Sequence, residues 1–293
     1  MNNNIEHTTD KIGLKTYNVD NITHKLNDIE ISFEGSLWSC SFYIGVYKAL
    51  VEIYGYEQLK DIKIAGTSSG CLAAIGIALG YKWHDLDKIY RLIARYSLEY
   101  GNYGITSLYL DIFLDKMLKN EDDYKKVNGK LFIGVTKFFK QSHVISHWNS
   151  NDELKETVRE SANIPFYIWR NMKTLTVDGC LSGGFIKLSD ETLFVSALKG
   201  SGHISPTIKF SMTDTIFTMQ DPKYSEVVQN GYDQTKKFFK ESDGTLIKMD
   251  TQPMSNSVTL VIWTLYFGKT YWKPILLTSG LIAGCYSIFK RKT

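Results

Sequence analysis

The pentapeptide Gly66-Thr67-Ser68-Ser69-Gly70 constrains this chain more than any other segment, because it fits the pattern G-x-S-x-G. The short apolar stretch Ile62–Ala65 precedes it and is typical of a buried strand. The small and apolar run Cys71–Leu79 follows it and predicts a buried helix. A serine on a sharp turn between a strand and a helix presents its hydroxyl above the edge of a sheet. The order strand, turn and helix therefore predicts that Ser68 is a nucleophile.

The residues around Ser68 fit a nucleophile elbow. Gly66 and Gly70 flank the serine, where a larger side chain would clash in so tight a turn. The N-terminus of the following helix favours a developing negative charge. One alternative is an ordinary turn in which Ser68 only caps that helix. Another is a phosphate-binding loop over residues 66–70, but no lysine follows the last glycine as it does in such loops.

Composition excludes several other classes of function. The chain has 293 residues, 43% of them hydrophobic and 22% charged, which is typical of a globular protein. A net charge of +3 is too small to indicate a nucleic-acid partner. The four cysteines form no C-x-x-C pair and the six histidines no H-E-x-x-H motif. We therefore expect reduced thiols, no metal site and no cofactor.

Predicted strands and helices alternate along the chain, which favours a parallel or mixed sheet with helices on both faces. Besides the segments around Ser68, the pattern predicts strands at Ile29–Phe33, Lys130–Phe138, Leu175–Val177 and Leu193–Ser196. It predicts helices at His84–Glu99, Thr106–Asn120, a charged and exposed Asn151–Ser161, and from Pro222 to about Glu241. A further helix has Phe42, Val46, Leu50 and Ile53 on one face.

Gly35, Ser68 and Asp178 each follow the carboxyl end of a predicted strand. Ligands of such sheets bind at the carboxyl ends of the strands, so we expect these three turns to meet at one edge. A serine nucleophile needs a base, and a partly desolvated carboxylate such as Asp178 can serve. The alternatives are an ordinary Asp-Gly turn at Asp178 and a late histidine, His203, as the base.

These segments together resemble the patatin-like acyl hydrolases, and within them the adiponutrin and triglyceride-lipase branch. The resemblance runs from about residue 30 to 241 and rests on Ile31-Ser32-Phe33-Glu34-Gly35, Gly45-Val46, Gly66–Gly70, Ser161–Phe166, Val177-Asp178-Gly179, Ser201–Pro206 and Asn230–Asp233. It implies a three-layer α/β sandwich with a central, mostly parallel sheet. It also implies hydrolysis of phospholipid or acylglycerol esters, with Ser68 as nucleophile and Asp178, of the D-G motif with Gly179, as general base.

The same resemblance implies an oxyanion hole built from backbone N–H groups of Gly35, Ser36 and Leu37, with Ser69 as a further donor. The family pattern G-x-G-x-x-G becomes Gly35-Ser36-Leu37-Trp38-Ser39-Cys40 here and keeps only its first glycine. Leu37 does not readily adopt a positive φ, and Leu37 and Trp38 are expected to crowd the acyl site. D-G-G/A likewise becomes Asp178-Gly179-Cys180. These departures keep open an alternative, a non-catalytic patatin-like protein that binds lipid or membrane.

The ends of the chain predict three parts: a polar arm (1–28), the acyl hydrolase domain (29–245) and a C-terminal tail (246–293). The arm has no apolar core segment of a secretory signal, so we expect an intracellular protein. Residues 274–289 carry no charge and would span about 24 Å as a helix at about 1.5 Å per residue. They predict a tail anchor or an interfacial helix at a membrane surface, with a buried terminal helix as the alternative. Protein partners are not predicted.

Overall fold

A computed structural model describes residues 29–102, 105–137, 141–164, 176–200 and 202–241. Its strands are β1 (Glu30–Phe33), β2 (Ile64–Thr67), β3 (Leu131–Lys137), β4 (Gln141–Ile145), β5 (Thr176–Val177) and β6 (Thr192–Val195). Its α-helices are α1 (Phe42–Tyr54), α2 (Tyr56–Leu59), α3 (Gly70–Ala78), α4 (Trp83–Tyr100), α5 (Thr106–Met117), α6 (Asp123–Val127), α7 (Asn151–Ser161), α8 (Met212–Ile216) and α9 (Lys223–Glu241). Two short 3₁₀ helices cover Leu37–Ser41 and Gly179–Ser182.

The strands form one mixed sheet in the order β4-β3-β2-β1-β6. β1 pairs in parallel with β2 and β6, and β2 pairs in parallel with β3. β4 and β5 both run antiparallel to β3. β1, β2 and β6 are buried along their whole length, as expected of parallel strands covered by helices on both faces. The predicted α/β fold with a central, mostly parallel sheet is confirmed.

Helices α1 and α9 pack unusually closely because each has a glycine at their contact. A Cβ atom on Gly45 would lie 1.8 Å from the carbonyl oxygen of Val228, and one on Gly231 would lie 2.1 Å from that of Phe42. Backbone atoms at such distances cannot yield to a side chain, so both positions require glycine. The contact fixes the start of α1, which immediately follows the turn after β1.

The structure corrects the sequence predictions at several elements. β2 begins at Ile64 instead of Ile62, because pairing with β1 and β3 starts at that residue. α5 ends at Met117, since Leu118 leaves the helical region with ψ 81°. α7 was predicted to be exposed, but it buries Leu154 and Val158 beneath its charged face. The short helices α2, α6 and α8 carry too few residues for a periodic pattern and were not predicted.

The predicted arm (1–28) and the whole predicted tail (246–293), with residues 274–289, lie outside the described residues. The three domain boundaries therefore stay predictions. Within the described ranges, no helix combines the length and the apolarity that crossing a bilayer requires.

Candidate active site

Ser68 lies on the sharp turn between β2 and α3, and 4% of it is exposed. Its φ is +51°, in the left-handed region that residues other than glycine rarely occupy. Ser69 is the N-cap residue of α3, and its side chain makes no capping hydrogen bond to the first turn of that helix. The alternative reading of Ser68 as a helix cap is therefore wrong. A strained backbone at a candidate nucleophile is typical of a functional turn.

The two glycines that flank Ser68 are both required by close contacts. A Cβ atom on Gly66 would lie 2.7 Å from the backbone nitrogen of Cys71. One on Gly70 would lie 2.4 Å from the carbonyl oxygen of Phe33 at the end of β1. The first glycine closes the turn, and the second lets α3 start directly against the neighbouring strand.

Asp178 is buried, and its two carboxylate oxygens have different surroundings. Oδ1 accepts a hydrogen bond from the N–H of Cys180 at 2.9 Å, as in the ordinary Asp-Gly turn considered above. Oδ2 is fully buried and has no hydrogen-bond partner among the described residues. Burial raises the pKa of Asp178, while the hydroxyl of Ser68 and the N–H of Cys180 oppose that rise. The Ser68 hydroxyl thus lies close to the carboxylate, while Oδ2 has no hydrogen-bond partner among the described residues. Catalytic hydrogen bonds are often long or incomplete in ligand-free active sites.

The route by which Asp178 reaches Ser68 differs from the predicted one. The sequence places Asp178 at the carboxyl end of a strand running with the others, whereas β5 runs antiparallel to β3. β2 pairs with β3 as far as Gly134, and β5 pairs with β3 just beyond it, at Thr136 and Lys137. β5 therefore lies past the end of β2 and points back toward it, which brings Asp178 to Ser68.

The turn after β1 is joined to the Ser68 turn by side-chain hydrogen bonds. The N–H of Gly35 donates to Oγ1 of Thr67 at 3.1 Å, and the N–H of Ser36 donates to Oγ of Ser69 at 2.9 Å. Two of the four predicted oxyanion donors are thus engaged within the protein. The N–H groups of Leu37 and Ser69 make no hydrogen bond to any described residue, which leaves them as the donors available to a bound oxyanion.

Leu37 occupies the position where the family pattern has its second glycine, and its φ is +52°. Leu37 therefore adopts the left-handed conformation, which is unfavourable for leucine. An L-residue with a Cβ atom pays about 1–2 kcal/mol for this conformation. The strain is located at the turn that holds the candidate oxyanion donors.

Replacing Leu37 by glycine and by alanine tests this strain. We expect Leu37→Gly to be more stable than Leu37→Ala by about 1 kcal/mol, because only glycine escapes the left-handed penalty. At an ordinary helical position the order is reversed, alanine being better by about 0.5–1 kcal/mol. Chemical denaturation measures both, and the same pair at Leu72, which lies in α3 beside the same pocket, is the control. Alanine equal to or better than glycine at both positions would contradict the argument.

An apolar pocket with a volume of about 90 Å³ opens beside Ser68 and Ser69. Its walls are suited to a hydrocarbon chain. Leu37 and Trp38 lie on one wall, as their predicted crowding of the acyl site requires. The other walls come mainly from α3, α4, α5 and the end of α7, through Leu72, Tyr90, Ile93, Thr106, Tyr109, Leu110, Phe113, Ala162 and Ile164.

Two supporting residues, Ser161 and Thr67, lie in segments that the sequence singled out, but their roles there were not predicted. Oγ of Ser161, the last residue of α7, accepts the N–H of Ser68 at 2.9 Å and donates to the carbonyl of Gly134 at 2.6 Å. Thr67 Oγ1 accepts from Gly35 and donates to the carbonyl of Gly184 at 2.5 Å. A buried N–H left without its partner costs about 1–3 kcal/mol, so Ser161 stabilises the strained turn. Only the packing of α7 on β3 reveals its role.

The other candidate groups lie apart from this site or are chemically inert there. His203 stacks on Phe194, accepts that residue's N–H at Nδ1 (2.9 Å), and borders a separate cavity with Lys199. Cys180 is close to Thr67 (3.4 Å), and burial raises its pKa, so it stays a neutral thiol beside Asp178. In the described part of the chain no group of His, Cys, Asp or Glu side chains is arranged to hold a metal ion.

Comparison with known proteins gives weak matches. No family model and no curated protein match the chain. Among solved structures, VipD from Legionella pneumophila matches with 15% identity and a TM-score of 0.46, over 75% of this chain and 67% of that one. The type III effector protein ExoU matches with 12% identity and a TM-score of 0.42, over 85% of this chain and 61% of that one. ExoU in its complex with SpcU, from Pseudomonas aeruginosa, matches with 11% identity and a TM-score of 0.36, over 87% and 60%. The chain thus spans between three fifths and two thirds of the length of these structures, and its function has to be argued from its own residues.

Proposed function

We propose that this protein is a carboxylic ester hydrolase that cleaves phospholipids or acylglycerols through a Ser68–Asp178 dyad. The observation that supports it most directly is the buried Asp178 carboxylate, which lies close enough to the Ser68 hydroxyl to interact with it and has one oxygen, Oδ2, without a partner among the described residues. A buried carboxylate with a raised pKa is a competent base for a hydroxyl proton. The strained turn and the adjacent apolar pocket supply the nucleophile and the place for an acyl chain.

The proposed reaction has two halves. Ser68 Oγ attacks the ester carbonyl carbon while Asp178 takes the hydroxyl proton, and the carbonyl oxygen becomes an anion. The N–H groups of Leu37 and Ser69 stabilise this anion, an interaction whose loss typically costs about 10²–10³-fold in rate. The intermediate expels the alcohol, which receives the proton from Asp178. Asp178 then accepts a proton from water as the water attacks the acyl-enzyme. It returns that proton to Ser68 Oγ as the bond from the acyl carbon to Oγ breaks, which releases the acid and restores the free enzyme.

Labelling with a fluorophosphonate tests the nucleophile and the oxyanion site together. Such a probe loses fluoride to a nucleophilic serine and places its phosphoryl oxygen, which carries partial negative charge, where the oxyanion would lie. We expect the wild-type chain to be labelled and Ser68→Ala to remain unlabelled under the same conditions. Ser142→Ala is the matched control, because it removes an exposed serine hydroxyl on β4 that does not line the pocket. Labelling of Ser68→Ala, or ester hydrolysis that survives in it, would refute the proposal.

A second function, lipid binding without turnover, is favoured by one specific observation. The N–H groups of Gly35 and Ser36 already donate to Thr67 and Ser69, and Leu37 replaces a glycine of the family pattern. A turn with fewer available donors would stabilise an oxyanion less. Under this reading, the wild-type chain binds lipid but neither hydrolyses an ester nor reacts with the fluorophosphonate.

The family and the cellular setting belong to the same proposal. The narrower likeness to the adiponutrin and triglyceride-lipase branch rests on Ser201–Pro206 and Asn230–Asp233, and Ser201 lies outside the described residues. Of the segment Ser161–Phe166, which also carries the resemblance, the structure describes only the residues as far as Ile164. Intracellular membrane association through residues 274–289 rests on their sequence alone.

A further inference from the structure

Large hydrophobic side chains that are exposed to solvent concentrate in one part of the described surface. Leu98 is 44% exposed, Tyr100 64%, Leu108 55% and Phe217 54%, and the fifth such residue in the described ranges is Val144 at 47%. Leu98 and Tyr100 end α4, Leu108 lies in the first turn of α5, and Phe217 follows α8. Single exposed hydrophobic residues are ordinary, but a cluster of them indicates an interaction surface. We call these four residues, Leu98, Tyr100, Leu108 and Phe217, the mouth patch.

Hydrogen bonds hold the segments of the mouth patch together. The hydroxyl of Ser97, next to Leu98, bonds to Thr218, next to Phe217. Thr106 Oγ1 donates to the carbonyl of Asn102 at 2.7 Å, and the Tyr109 hydroxyl donates to the carbonyl of Gly101 at 2.7 Å. The end of α4, the start of α5 and the segment after α8 therefore form one connected surface.

The same segments form the walls of the pocket beside Ser68. Thr106, Tyr109 and Leu110 face that pocket, so Leu108 stands outside it on the same turn of α5. On the other side, Ser39 Oγ of the first 3₁₀ helix bonds to Thr215 of α8 at 3.4 Å, and that 3₁₀ helix includes Leu37 and Trp38 of the pocket wall. Three residues of the mouth patch thus lie on two of the helices that line the pocket, α4 and α5, and Phe217 lies on a segment that is hydrogen-bonded to α4.

We propose that the mouth patch is the surface that contacts a lipid bilayer and admits a lipid chain to the pocket. The inference rests on the proposed function, because a substrate with acyl chains lies in a bilayer and makes the bilayer the partner of the patch. An acyl chain that left a bilayer through water would lose its apolar contacts, whereas a patch seated on the bilayer keeps it desolvated. Tyr100 and Phe217 suit this location, since aromatic side chains are favoured at the boundary between hydrocarbon and water.

An environment-sensitive dye locates the surface that enters the bilayer. The dye is attached to Leu98→Cys or Phe217→Cys in the full chain, with Cys285→Ser to remove the cysteine of the tail and the parent chain as the blank. Vesicles of phosphatidylcholine and phosphatidylserine are then added. We expect a blue-shifted and stronger emission at both positions and no change for Val144→Cys, which lies on strand β4. An unchanged emission at both patch positions, or an equal change at Val144→Cys, would overturn the proposal. Because Ser68→Ala can be included in every variant, this result does not depend on turnover.

Substitution then separates lipid contact from support of the pocket. For Leu98→Gln/Leu108→Gln/Phe217→Gln, we expect turnover of vesicle lipid to fall by about tenfold or more, since each of these side chains contributes substantially to apolar burial. Turnover of a soluble short-chain ester stays at the wild-type level, and Val144→Gln keeps both activities. An equal loss on both substrates would overturn the proposal. If the wild-type chain hydrolyses neither substrate, the proposed function fails and the dye alone decides whether the patch contacts lipid.

Discussion

Asp178→Asn is expected to lower ester hydrolysis by about 10²–10⁴-fold, the range that a general base contributes. The asparagine amide cannot accept the proton of Ser68, so the first half of the reaction loses its base. Its oxygen can still accept the N–H of Cys180, which keeps the 3₁₀ helix Gly179–Ser182 capped. Initial rates on a soluble ester measure the effect. A rate within a few-fold of wild type would exclude Asp178 as the base.

Stability should move in the opposite direction to activity in the same variant. Burial raises the pKa of Asp178 above 3.8, so the folded state binds its proton more tightly than the unfolded chain does. The stability from this group is fully present below the unfolded pKa and is lost as the pH rises through the raised pKa. Asparagine resembles the protonated form, so at neutral pH we expect Asp178→Asn to be at least as stable as wild type. If Asp178→Asn were clearly less stable than wild type at neutral pH, its lower activity would be explained by misfolding and not by loss of the base.

The pH dependence of the wild-type rate also tests whether Asp178 is a buried base. Asp178 has to be ionised to act as a base, so activity is expected to fall as the pH drops through its pKa. Because burial raises that pKa, the fall should begin at a higher pH than for an exposed aspartate. The measurement is kcat/KM against pH on a substrate without ionisable groups. A rate that stays level down to the ordinary pKa of aspartate would contradict the buried-base assignment.

Gly35→Ala is expected to reduce hydrolysis by about 10²-fold or more, because a displacement of about 1 Å at the reacting atoms has that cost. The added Cβ atom would lie 2.2 Å from Sγ of Cys180, 2.5 Å from Cβ of Ser68 and 3.2 Å from its hydroxyl oxygen. The first two distances are too short for non-bonded atoms and the third is tight, so the nucleophile has to move. Rates and fluorophosphonate labelling are both expected to fall.

Two further variants separate the contacts of Gly35. Gly55→Ala is the control, since its added Cβ atom would meet no atom within 4 Å. Its φ of +81° makes it a test of backbone strain without a clash at the site. Gly35→Ala/Cys180→Gly removes the contact with the sulfur and keeps the contact with Ser68. We expect this double variant to recover only part of the activity. Full recovery would show that Ser68 is not displaced, and full activity of Gly35→Ala itself would refute the close packing of the turn.

Local sequence patterns were sufficient to predict most of the fold. The buried strands β1 and β6 and the helices α1, α3, α4 and α9 follow from apolar runs and helical periodicity within a residue or two. The requirement for glycine on both sides of Ser68 was predicted because a tight turn between a strand and a helix leaves no room for a side chain. Such features depend on neighbours along the chain, so the sequence carries them directly.

The site depends more strongly on contacts between distant segments. Ser161 is 93 residues from Ser68, and no local sequence pattern predicts the hydrogen bond between them. The antiparallel direction of β5 is likewise a matter of sheet pairing, which a run of two residues cannot specify. The engagement of the Gly35 and Ser36 N–H groups by Thr67 and Ser69 also arises only when the two turns meet.

The sequence by itself determined an α/β chain with a sharp serine turn, a carboxylate after a later strand, and a turn that has lost its second glycine. Only the tertiary structure decided that Ser68 and Leu37 adopt the left-handed conformation, that Asp178 is buried with Oδ2 unpartnered among the described residues, and that α4 and α5 carry exposed apolar residues. The reason is physical. Backbone preferences act between neighbours along the chain, whereas desolvation, pKa shifts and the direction of a hydrogen bond are set by whatever the fold brings alongside.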